Sequence, residues 1–475
     1  MNRFIEKLSA FALAGALCAS AGGCGSDSPR SDVPGELPEL PDPGNIHTFK
    51  APLYWSVYEY CYEQERAGVS NDRMDILPSE WDNILDWLAR DLKPYGYDMV
   101  CTDGWIPMLA KEGSPYMTHY GSTAIRDLVA KARSRGMRVG VYDNPMWIHC
   151  SDETLIPGTS LRVGSLLYER GDKTMNPDKE DLWFRWALAN RVGAREWIDG
   201  FFRHYHDLGV EFIRMDFLSW YEDGRDRGMG ITGRGYGREN YERCLAYIAE
   251  AAKKYGIFTS LVMPHLYYNA ELEARYGNMV RIVADTATGG WRHVSADNRG
   301  KSFVNWPNCM NQFDGFTYWS SITGRGKVIA DGDFLRLNTL ADDGEKQTAV
   351  TLQIMAGGPV AIADQRTTIG ENTKFYANRE LLELNADGFC GKPMGTTLGS
   401  AASQVWHGTM SDGTPVVAVF NRNDSPRDYS VKFADLGYEG EYTLRDLWLH
   451  AETGKADGLS GTLAPHACRV VRLSR

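Results

Sequence analysis

The sequence predicts an α/β protein in which a (β/α)₈ TIM barrel is followed by a C-terminal antiparallel β-sandwich. The chain has 475 residues, of which 43% are hydrophobic and 24% are charged, and this is enough for two globular domains. From residue 50 to about residue 388, short apolar runs alternate with amphipathic helical patterns, which is typical of a parallel sheet. From residue 389 onward only short alternating runs occur, separated by Gly, Asp and Pro, and this pattern predicts an all-β domain.

Eight runs rich in β-branched and aromatic residues are predicted to form the barrel strands. They are 52–58, 97–103, 138–144, 211–217, 257–264, 280–286, 315–321 and 327–333. Eight strands with helices between them favour a closed barrel over an open sheet, and no GxGxxG motif follows the first run to support a dinucleotide fold. The connection 322–326 between the last two runs is too short for a full helix.

Four helical patterns between these runs are clear. The segment 79–96 has Ser79 as a predicted N-cap and stops at Pro94 and Gly96. The others cover 122–137, 195–210 and 238–256, and the last of them is closed by a glycine. The predicted sandwich strands lie in six runs: SQVWHG, PVVAVFNR, DYSVKF, EYTLRDLW, LSGTLAPH and CRVVRLS.

The N-terminus is predicted to be an export signal rather than part of the fold. Residues 1–23 have basic residues followed by an apolar run of signal-peptide length, and they end in small residues before Cys24. This pattern predicts a lipidated Cys24, a Pro-rich acidic tether over 24–49, and a lipid-anchored protein exported to a bacterial envelope. The alternative is ordinary cleavage near the sequence ALCASA, which would release a soluble protein.

Composition narrows the possible partners. The net charge of -11 argues against binding to nucleic acid, whose phosphates would repel the chain. The seven cysteines after Cys24 contain no CxxC pair, which gives little support to a zinc site, and their odd number leaves at least one thiol free. The 14 Trp and 24 Tyr residues should mostly pack in the core, while some should line a pocket, because aromatic faces stack well on sugar rings and on bases.

The predicted strands end in polar residues at the face where TIM barrels carry their active sites. A single Asp after a strand is more often a turn former than a catalytic group, but a ring of such residues around one barrel mouth favours a site. The residues at or just past these ends are Asp103, Asp143, Asn144, Asp216, His265, Asp285, Asp331 and Asp333.

Two carboxylates that face each other across a barrel mouth suit glycoside hydrolysis, and Asp216 and Asp285 are the best-placed pair. Arg214 lies two residues before Asp216 and therefore on the same face of its strand, where its charge should keep a nucleophile ionised. Asp285 has to stay protonated to act as an acid, which requires partial burial. Because Arg281 would oppose protonation if it touched Asp285, we expect it to bind a sugar hydroxyl instead.

Several motifs of the chain match, in the same order, the motifs of one known enzyme family. Arg214-Met215-Asp216 corresponds to a Lys-x-Asp pattern on strand four. Arg281 and Asp285 form an Arg-x-x-x-Asp pattern with Trp291 after it. Asp331-Gly332-Asp333-Phe334 is similar to Asp-Pro-Asp-Met. The segments 351–365, 445–450 and 464–473 are similar to a last barrel helix with the loop after it and to the end of a β-sandwich.

From about residue 50 to its end, the chain resembles the α-galactosidase superfamily of glycoside hydrolases, especially family 27 and its relatives in clan D. The resemblance implies an exo-acting retaining glycosidase with Asp216 as nucleophile and Asp285 as acid/base. It needs no metal or organic cofactor and acts on oligosaccharides or polysaccharide side chains. The predicted substrate-binding residues are Trp55, Thr102, Asp103, Trp105, Tyr142, Arg214, His265, Arg281, Trp291 and Asp333.

The departures from the family pattern concern the sugar. The family's Asp-Asp-Cys-Trp on strand two, whose first Asp grips O4 and O6 of galactose, is Thr102-Asp103-Gly104-Trp105 here, and Arg214 replaces a Lys. We therefore expect release of a terminal α-galactoside-like sugar, with β-L-arabinopyranosidase or α-N-acetylgalactosaminidase activity as alternatives. A non-catalytic surface glycan-binding lipoprotein and another barrel enzyme that uses His265 also remain open.

Overall fold

The computed structural model describes residues 37–48, 50–111, 113–167, 185–226, 230–295 and 309–475. The predicted signal peptide and Cys24 lie outside the described residues, so export and lipidation stay predictions. Among the described residues, every helix is too short or too polar to cross a bilayer. Residues 37–48 of the predicted tether form no helix or strand, but they lie along the helix Arg238–Tyr255, where Arg243 donates to the Pro38 carbonyl.

The barrel prediction is confirmed. Its strands are β1 (Leu53–Ser56), β2 (Met99–Cys101), β3 (Arg138–Tyr142), β4 (Phe212–Met215), β5 (Phe258–Leu261), β6 (Met279–Arg281), β7 (Ile329–Asp331) and β8 (Val360–Ile362). They are parallel and lie in the order 7-6-5-4-3-2-1-8. Leu335, just past β7, pairs in parallel with Ile362 of β8 and closes the ring.

One predicted strand is wrong. Residues 315–319 belong to the helix Gln312–Trp319 and residues 320–321 to the turn after it; the Asn311 side chain caps the N-terminus of this helix by accepting from the Asp314 amide. This helix is buried nearly all round, so its aromatic and β-branched residues show no helical period and are easily taken for a buried strand. The eighth strand is instead β8, within the segment 351–365 that was predicted to hold the last helix and the loop after it.

The helices surround the sheet. They are Tyr58–Arg66, Pro78–Asp91, Ile125–Ser134, Ala194–Leu208, Leu218–Asp223, Arg238–Tyr255, Glu271–Tyr276, Trp291–Val294, Gln312–Trp319, Asp343–Met355, Thr373–Tyr376 and Arg379–Asp387. The four predicted helices are among them, and Gly256 ends one of them in the left-handed conformation. Ser79 is not an N-cap, because its helix begins at Pro78 with Leu77 in the cap position.

Along each strand, side chains alternate between the inside and the outside of the barrel. Tyr54, Met99, Phe212 and Met279 belong to an apolar cluster that fills the barrel interior. The side chain next to Tyr54 points the other way: Trp55 meets Trp87 of the helix Pro78–Asp91 edge to face, with ring centroids 6.0 Å apart. Side chains two residues further along each strand therefore point into the barrel above this apolar cluster. These side chains form the candidate site.

The C-terminal domain is antiparallel, as predicted. Its larger sheet has the strand order Lys392–Pro393, Val405–Thr409, Pro415–Phe420, Cys468–Ser474, Tyr442–Asp446 and Ala451–Ala456, and a second sheet pairs Arg427–Lys432 with Gly458–Leu463. The strand Ala451–Ala456 was missed because it is an edge strand with almost wholly exposed polar residues, so it has no apolar alternation.

The two domains share a buried joint. Arg422 of the sandwich is 1% exposed and donates to Asp314 at 2.8 Å and to the Ser295 hydroxyl at 2.6 Å. Nearby, the rings of His466 and Trp291 stack with centroids 4.2 Å apart. The sandwich is therefore attached to the segment of the barrel that follows β6.

The prediction of at least one free thiol is confirmed in the described part of the chain. Cys61, Cys101 and Cys244 are buried thiols, and Cys150, Cys390 and Cys468 are partly exposed ones; none of these six forms a disulfide.

Candidate active site

Three layers of side chains fill the barrel toward the carboxyl ends of its strands. The lowest layer is the apolar cluster around Tyr54 and Phe212. Arg214 and Arg281 lie above it because each follows an interior apolar residue by two positions on its strand. Carboxylates from β7 surround the two guanidinium groups, and further carboxylates form the mouth.

Asp333 connects the two arginines. Its Oδ1 accepts from Arg281 Nη1 at 2.7 Å and from Arg214 Nη2 at 3.1 Å, while Oδ2 accepts from the amide and the hydroxyl of Thr286, both at 2.7 Å. Burial alone would raise the pKa of Asp333, but Arg281 and Arg214 hold it below its ordinary value. Asp333 is 0% exposed with both oxygens occupied and orients the arginines, and its contact with substrate stays a prediction.

The two arginines also have internal partners. Arg214 lies 3.5 Å from Asp331 and over the Phe334 ring at 4.6 Å, and it is 3% exposed. Arg281 is 1% exposed and donates to Asp285 Oδ1 at 2.8 Å, so the prediction that it avoids Asp285 is wrong. Both guanidinium groups are buried charges below the mouth, and their contact with a sugar hydroxyl stays a prediction.

Asp216 is the first residue after β4 and is held on both oxygens. Tyr142 donates to Oδ2 at 2.8 Å, and the Phe217 amide donates to Oδ1 at 2.7 Å. Asn144 donates to the Asp216 backbone carbonyl at 2.9 Å. Phe217 has a φ of 62°, a strained conformation that turns the chain sharply after the strand. These contacts fix the orientation of the half-buried carboxylate.

Burial raises the pKa of Asp216 to about 6, and the charge of Asp285 adds to the rise. Arg214 opposes it, as do the hydrogen bonds from Phe217 and Tyr142. The predicted effect of Arg214 therefore has the right sign, although burial outweighs it. A pKa below neutrality leaves Asp216 mainly ionised at pH 7, as a nucleophile requires.

Asp285 lies in the mouth, on the loop after β6, with 63% of its side chain exposed. The dense protein around the carboxyl raises its pKa, Arg281 lowers it, and Asp333 adds to the rise. Water in the open cleft moderates this rise, because an exposed carboxylate is well solvated. The site thus contains Asp216, whose carboxylate is fixed by hydrogen bonds, and Asp285, whose carboxyl group is exposed. The charges of these two groups interact.

Asp103 follows β2 and is 4% exposed. Its Oδ1 accepts from the Gly104 amide at 2.8 Å, and the Tyr120 hydroxyl contacts both the amide and the carbonyl of Asp103. Burial raises the pKa of Asp103 to about 7, against the opposing charge of Arg214, and Asp216 adds to the rise. Asp103 therefore joins the same interacting group of carboxylates, as the sequence predicted.

Thr102 and Tyr142 contact each other rather than standing side by side as sugar ligands. Thr102 is 2% exposed, and its hydroxyl accepts from the Tyr142 amide at 2.9 Å, which links β2 to β3. Tyr142 uses its own hydroxyl on Asp216. The predicted sugar contact of Thr102 is therefore replaced by a contact between strands.

Trp55 is wrongly predicted as a sugar contact, because it packs outside the sheet. Tyr58, three residues later, lies in the site: its hydroxyl accepts from the Ala287 amide at 3.0 Å. Its ring is 6.4 Å from Trp105 and 6.0 Å from Tyr62. We call Tyr58, Tyr62 and Trp105 the front aromatic group. The signal that could have found Tyr58 is its position just past β1, since the strand phase already directs Trp55 outward.

A second set of rings borders Asp216. Trp147 lies 5.8 Å from Tyr142 and 6.1 Å from Phe217, and Trp186 lies 6.4 Å from Trp147. We call Trp147, Trp186 and Phe217 the rear aromatic group. Sequence reasoning missed all three: Trp147 and Trp186 lie on the long connection after β3, which has no periodic pattern, and Phe217 lies between the end of β4 and the helix Leu218–Asp223.

Three other predicted residues lie away from the pair. His265 is 0% exposed and contacts Glu222 at 3.1 Å, so its predicted contact with substrate is wrong. Trp291 stacks on His466 at the domain joint and is not part of the aromatic lining. Asp143 faces outward and accepts from Tyr205 at 2.6 Å, as alternation after Tyr142 requires.

Comparison with known proteins identifies relatives of this chain. A family model described as the alpha galactosidase C-terminal beta sandwich domain matches residues 400–473. The chain is 37% identical over 441 residues to an isomalto-dextranase of Arthrobacter globiformis, which covers 89% of this chain and 67% of that protein. A solved structure of Arthrobacter globiformis T6 isomalto-dextranase complexed with panose has a TM-score of 0.80 and 36% identity, covering 90% of this chain and 72% of that one. An alpha-galactosidase of Oryza sativa subsp. japonica is 25% identical over 268 residues, covering 55% and 57% of the two chains.

Proposed function

The chain belongs to the α-galactosidase superfamily of glycoside hydrolases, of the family 27 type, and is a glycosidase; from this premise we propose that it is an exo-acting retaining enzyme that cleaves dextran-type α-1,6-glucan and releases isomaltose. The observation that carries this proposal is the 37% identity with an isomalto-dextranase over 89% of the chain. The match spans the barrel as well as the sandwich, so it includes the residues of the site.

The site supports a sugar other than galactose. In the family pattern a carboxylate at the position of Thr102 grips O4 and O6, and galactose differs from glucose only at C4. Here that position is a hydroxyl already bonded to the Tyr142 amide. The group that would select an axial O4 is therefore absent at this position, which favours glucose over the α-galactoside-like sugar expected from the family motif.

The first chemical step forms a glycosyl ester on Asp216. One carboxylate oxygen of Asp216 attacks the anomeric carbon while Asp285 gives its proton to the leaving glycosidic oxygen, so the bond to the leaving chain breaks as the proton arrives. The Phe217 amide and the Tyr142 hydroxyl keep the nucleophile oriented before attack. Asp285, exposed at the mouth, can reach the leaving group.

The second step releases the sugar with its anomeric configuration retained. Asp285, now ionised, takes a proton from water, and the water oxygen displaces Asp216 from the anomeric carbon. Arg281, 2.8 Å from Asp285, stabilises the ionised form that acts as the base after the first proton transfer. The contact that opposes protonation at rest thus assists the base in the second step.

The aromatic groups suit a substrate of more than one sugar. The front group borders Asp285 through the contact between Tyr58 and the Ala287 amide, and the rear group borders Asp216. Flat ring faces stack on the apolar faces of glucose units. The partly exposed rings of Tyr62, Trp105 and Phe217 lie on both sides of the carboxylate pair and therefore support binding of consecutive glucan residues, whereas Tyr58, Trp147 and Trp186 are buried.

A panel of substrates tests the proposal: dextran, and the 4-nitrophenyl glycosides of α-galactose, N-acetyl-α-galactosamine and β-L-arabinopyranose. We expect isomaltose from dextran and little hydrolysis of the other three. A kcat/KM on the α-galactoside or the N-acetyl-α-galactosaminide that exceeds the value on dextran would overturn the choice of sugar.

A second candidate is β-L-arabinopyranosidase activity, which one observation favours. Loss of the O6-gripping carboxylate at Thr102 suits a sugar without a hydroxymethyl group, and L-arabinopyranose otherwise copies the galactose ring. The same panel decides between the two. The complete burial of His265 argues against a role for it in another kind of barrel chemistry, and a purely glycan-binding role does not fit a glycosidase.

A further inference from the structure

Gly104 lies against the ring of Tyr142. A Cβ built on Gly104 would be 2.6 Å from Cζ and 2.9 Å from the hydroxyl oxygen of Tyr142, and it would press still closer on Cε1. Real Cβ atoms essentially never approach a heavy atom within 3.0 Å, so any other residue at position 104 would displace the ring or the strand.

The backbone does not explain the glycine. Gly104 is absent from the residues with positive φ, so an alanine could adopt its conformation without strain. The requirement for glycine therefore comes from the contact with Tyr142 alone.

Three contacts fix the position of Tyr142, and one of them is its hydrogen bond to Asp216. The Thr102 hydroxyl accepts from its amide at 2.9 Å, Gly104 leaves room for its ring, and its hydroxyl donates to Asp216 Oδ2 at 2.8 Å. Burial raises the pKa of the Tyr142 hydroxyl well above its ordinary value, so this group stays a hydrogen-bond donor at working pH.

We propose that Thr102 and Gly104 are positioning residues that act through Tyr142 to orient Asp216. They are the two positions at which this chain departs from the family pattern Asp-Asp-Cys-Trp. A cysteine in place of Gly104 would put its Cβ into the space of the Tyr142 ring. Thr102 and Gly104 thus act together on Tyr142. This inference rests on the proposed role of Asp216 as nucleophile.

The test is the pH dependence of kcat/KM on 4-nitrophenyl α-isomaltoside. Asp216 must be ionised to attack, and Tyr142 favours the ionised form, so Tyr142→Phe should move the acid limb to higher pH and reduce kcat/KM at pH 6 by roughly 10-fold or more. The other charges that act on Asp216, those of Asp285 and Arg214, stay in place in this variant.

Gly104→Ala should move the acid limb in the same direction, and adding it to Tyr142→Phe should cause little further change, because both act on one contact. The matched control is Gly233→Ala, since a Cβ at Gly233 meets nothing within 4 Å and its φ is not positive. Gly233→Ala should leave the profile unchanged. An unmoved acid limb in Gly104→Ala, alongside a shifted one in Tyr142→Phe, would overturn the proposal.

A second pair of variants decides the matter if Gly104→Ala does not fold. Thr102→Val removes the acceptor of the Tyr142 amide with little change in volume, whereas Thr102→Ser keeps it. We expect a shifted acid limb in the first and a wild-type profile in the second; equal profiles would overturn the proposal. Turnover by Asp216→Ala at the wild-type rate would instead show that the proposed function itself is wrong.

Discussion

Asp216 meets two opposing requirements. Its position past the end of β4 buries it partly, which raises its pKa to about 6, yet attack on an anomeric carbon requires the ionised form. Hydrogen bonds from Phe217 and Tyr142 and the nearby charge of Arg214 limit the rise. The carboxylate is therefore less solvated than a surface aspartate and still mainly ionised near neutrality.

The pKa of Asp216 predicts the acid limb of the enzyme. Asp216 is the proposed nucleophile and cannot attack when protonated, so kcat/KM on dextran should fall as the pH drops below about 6. A pH series of initial rates measures this limb. If the rate stayed constant down to pH 4, the titration of Asp216 would not control catalysis.

The loss of activity on removing Asp285 is expected to depend on whether the leaving group needs a proton to depart. Asp285→Ala removes the proton donor, so hydrolysis of dextran should fall by roughly 10²- to 10⁴-fold. An activated fluoride of isomaltose needs no proton to depart, so the first step on it should be nearly unaffected. Equal losses on both substrates would argue against a role for Asp285 as acid.

At the scale of elements, strand phase decides which side chains reach the site. Phe212, Arg214 and Asp216 share the interior face of β4 and its extension, and the sequence was enough to predict this. The same rule sends Trp55 to the helices and leaves the site to Tyr58, which lies beyond the strand. The family resemblance indicated the position of Trp55 in the first strand but not the face of the strand on which its side chain lies.

Other parts of the site could not be predicted for a different reason. The partners of Asp333 come from β4, β6 and the loop after β6, so its saturation by Arg214, Arg281 and Thr286 depends on contacts distant in sequence. Trp147 and Trp186 of the rear aromatic group lie on a connection without periodicity. The helix Gln312–Trp319 is buried on nearly all faces, which removes the period that distinguishes a helix from a strand.

The domain joint gives a prediction about stability. Arg422→Ala leaves Asp314 buried without its cation and should lower the free energy of unfolding by about 3–5 kcal/mol. The control is Lys432→Ala in the same domain, whose exposed pair with Asp457 at 3.7 Å should contribute less than about 1 kcal/mol. Denaturant unfolding followed by fluorescence measures both. Equal effects of the two changes would contradict the assigned role of Arg422.

At the scale of the whole molecule, several buried carboxyl groups couple folding to pH. Burial raises the pKa values of Asp103, Asp143, Glu273 and Asp364 to about 7. These groups bind protons more tightly in the folded state than in the unfolded state. Their contribution to stability is therefore complete below about pH 4 and is lost as the pH rises through about 7. Asp333, with its lowered pKa, has the opposite dependence and destabilises the fold only when protonated in acid.

Thermal unfolding across pH tests this balance. We expect the Tm to be higher at pH 5.5 than at pH 8, because the four raised carboxyl groups ionise over this interval. Asp364→Asn should reduce the difference between the two Tm values, since asparagine does not titrate. A Tm that rises steadily from pH 5.5 to pH 8 would contradict the raised pKa values.

The central claim is that Asp216 and Asp285 carry out a double displacement that releases isomaltose from an α-1,6-glucan. The most direct measurement is proton NMR of dextran during the first minutes of hydrolysis, before mutarotation, with Asp216→Ala as the inactive control. The account predicts that α-isomaltose appears first with the wild-type enzyme and that no product forms with the variant. First appearance of the β-anomer, or product formation by Asp216→Ala at the wild-type rate, would contradict it.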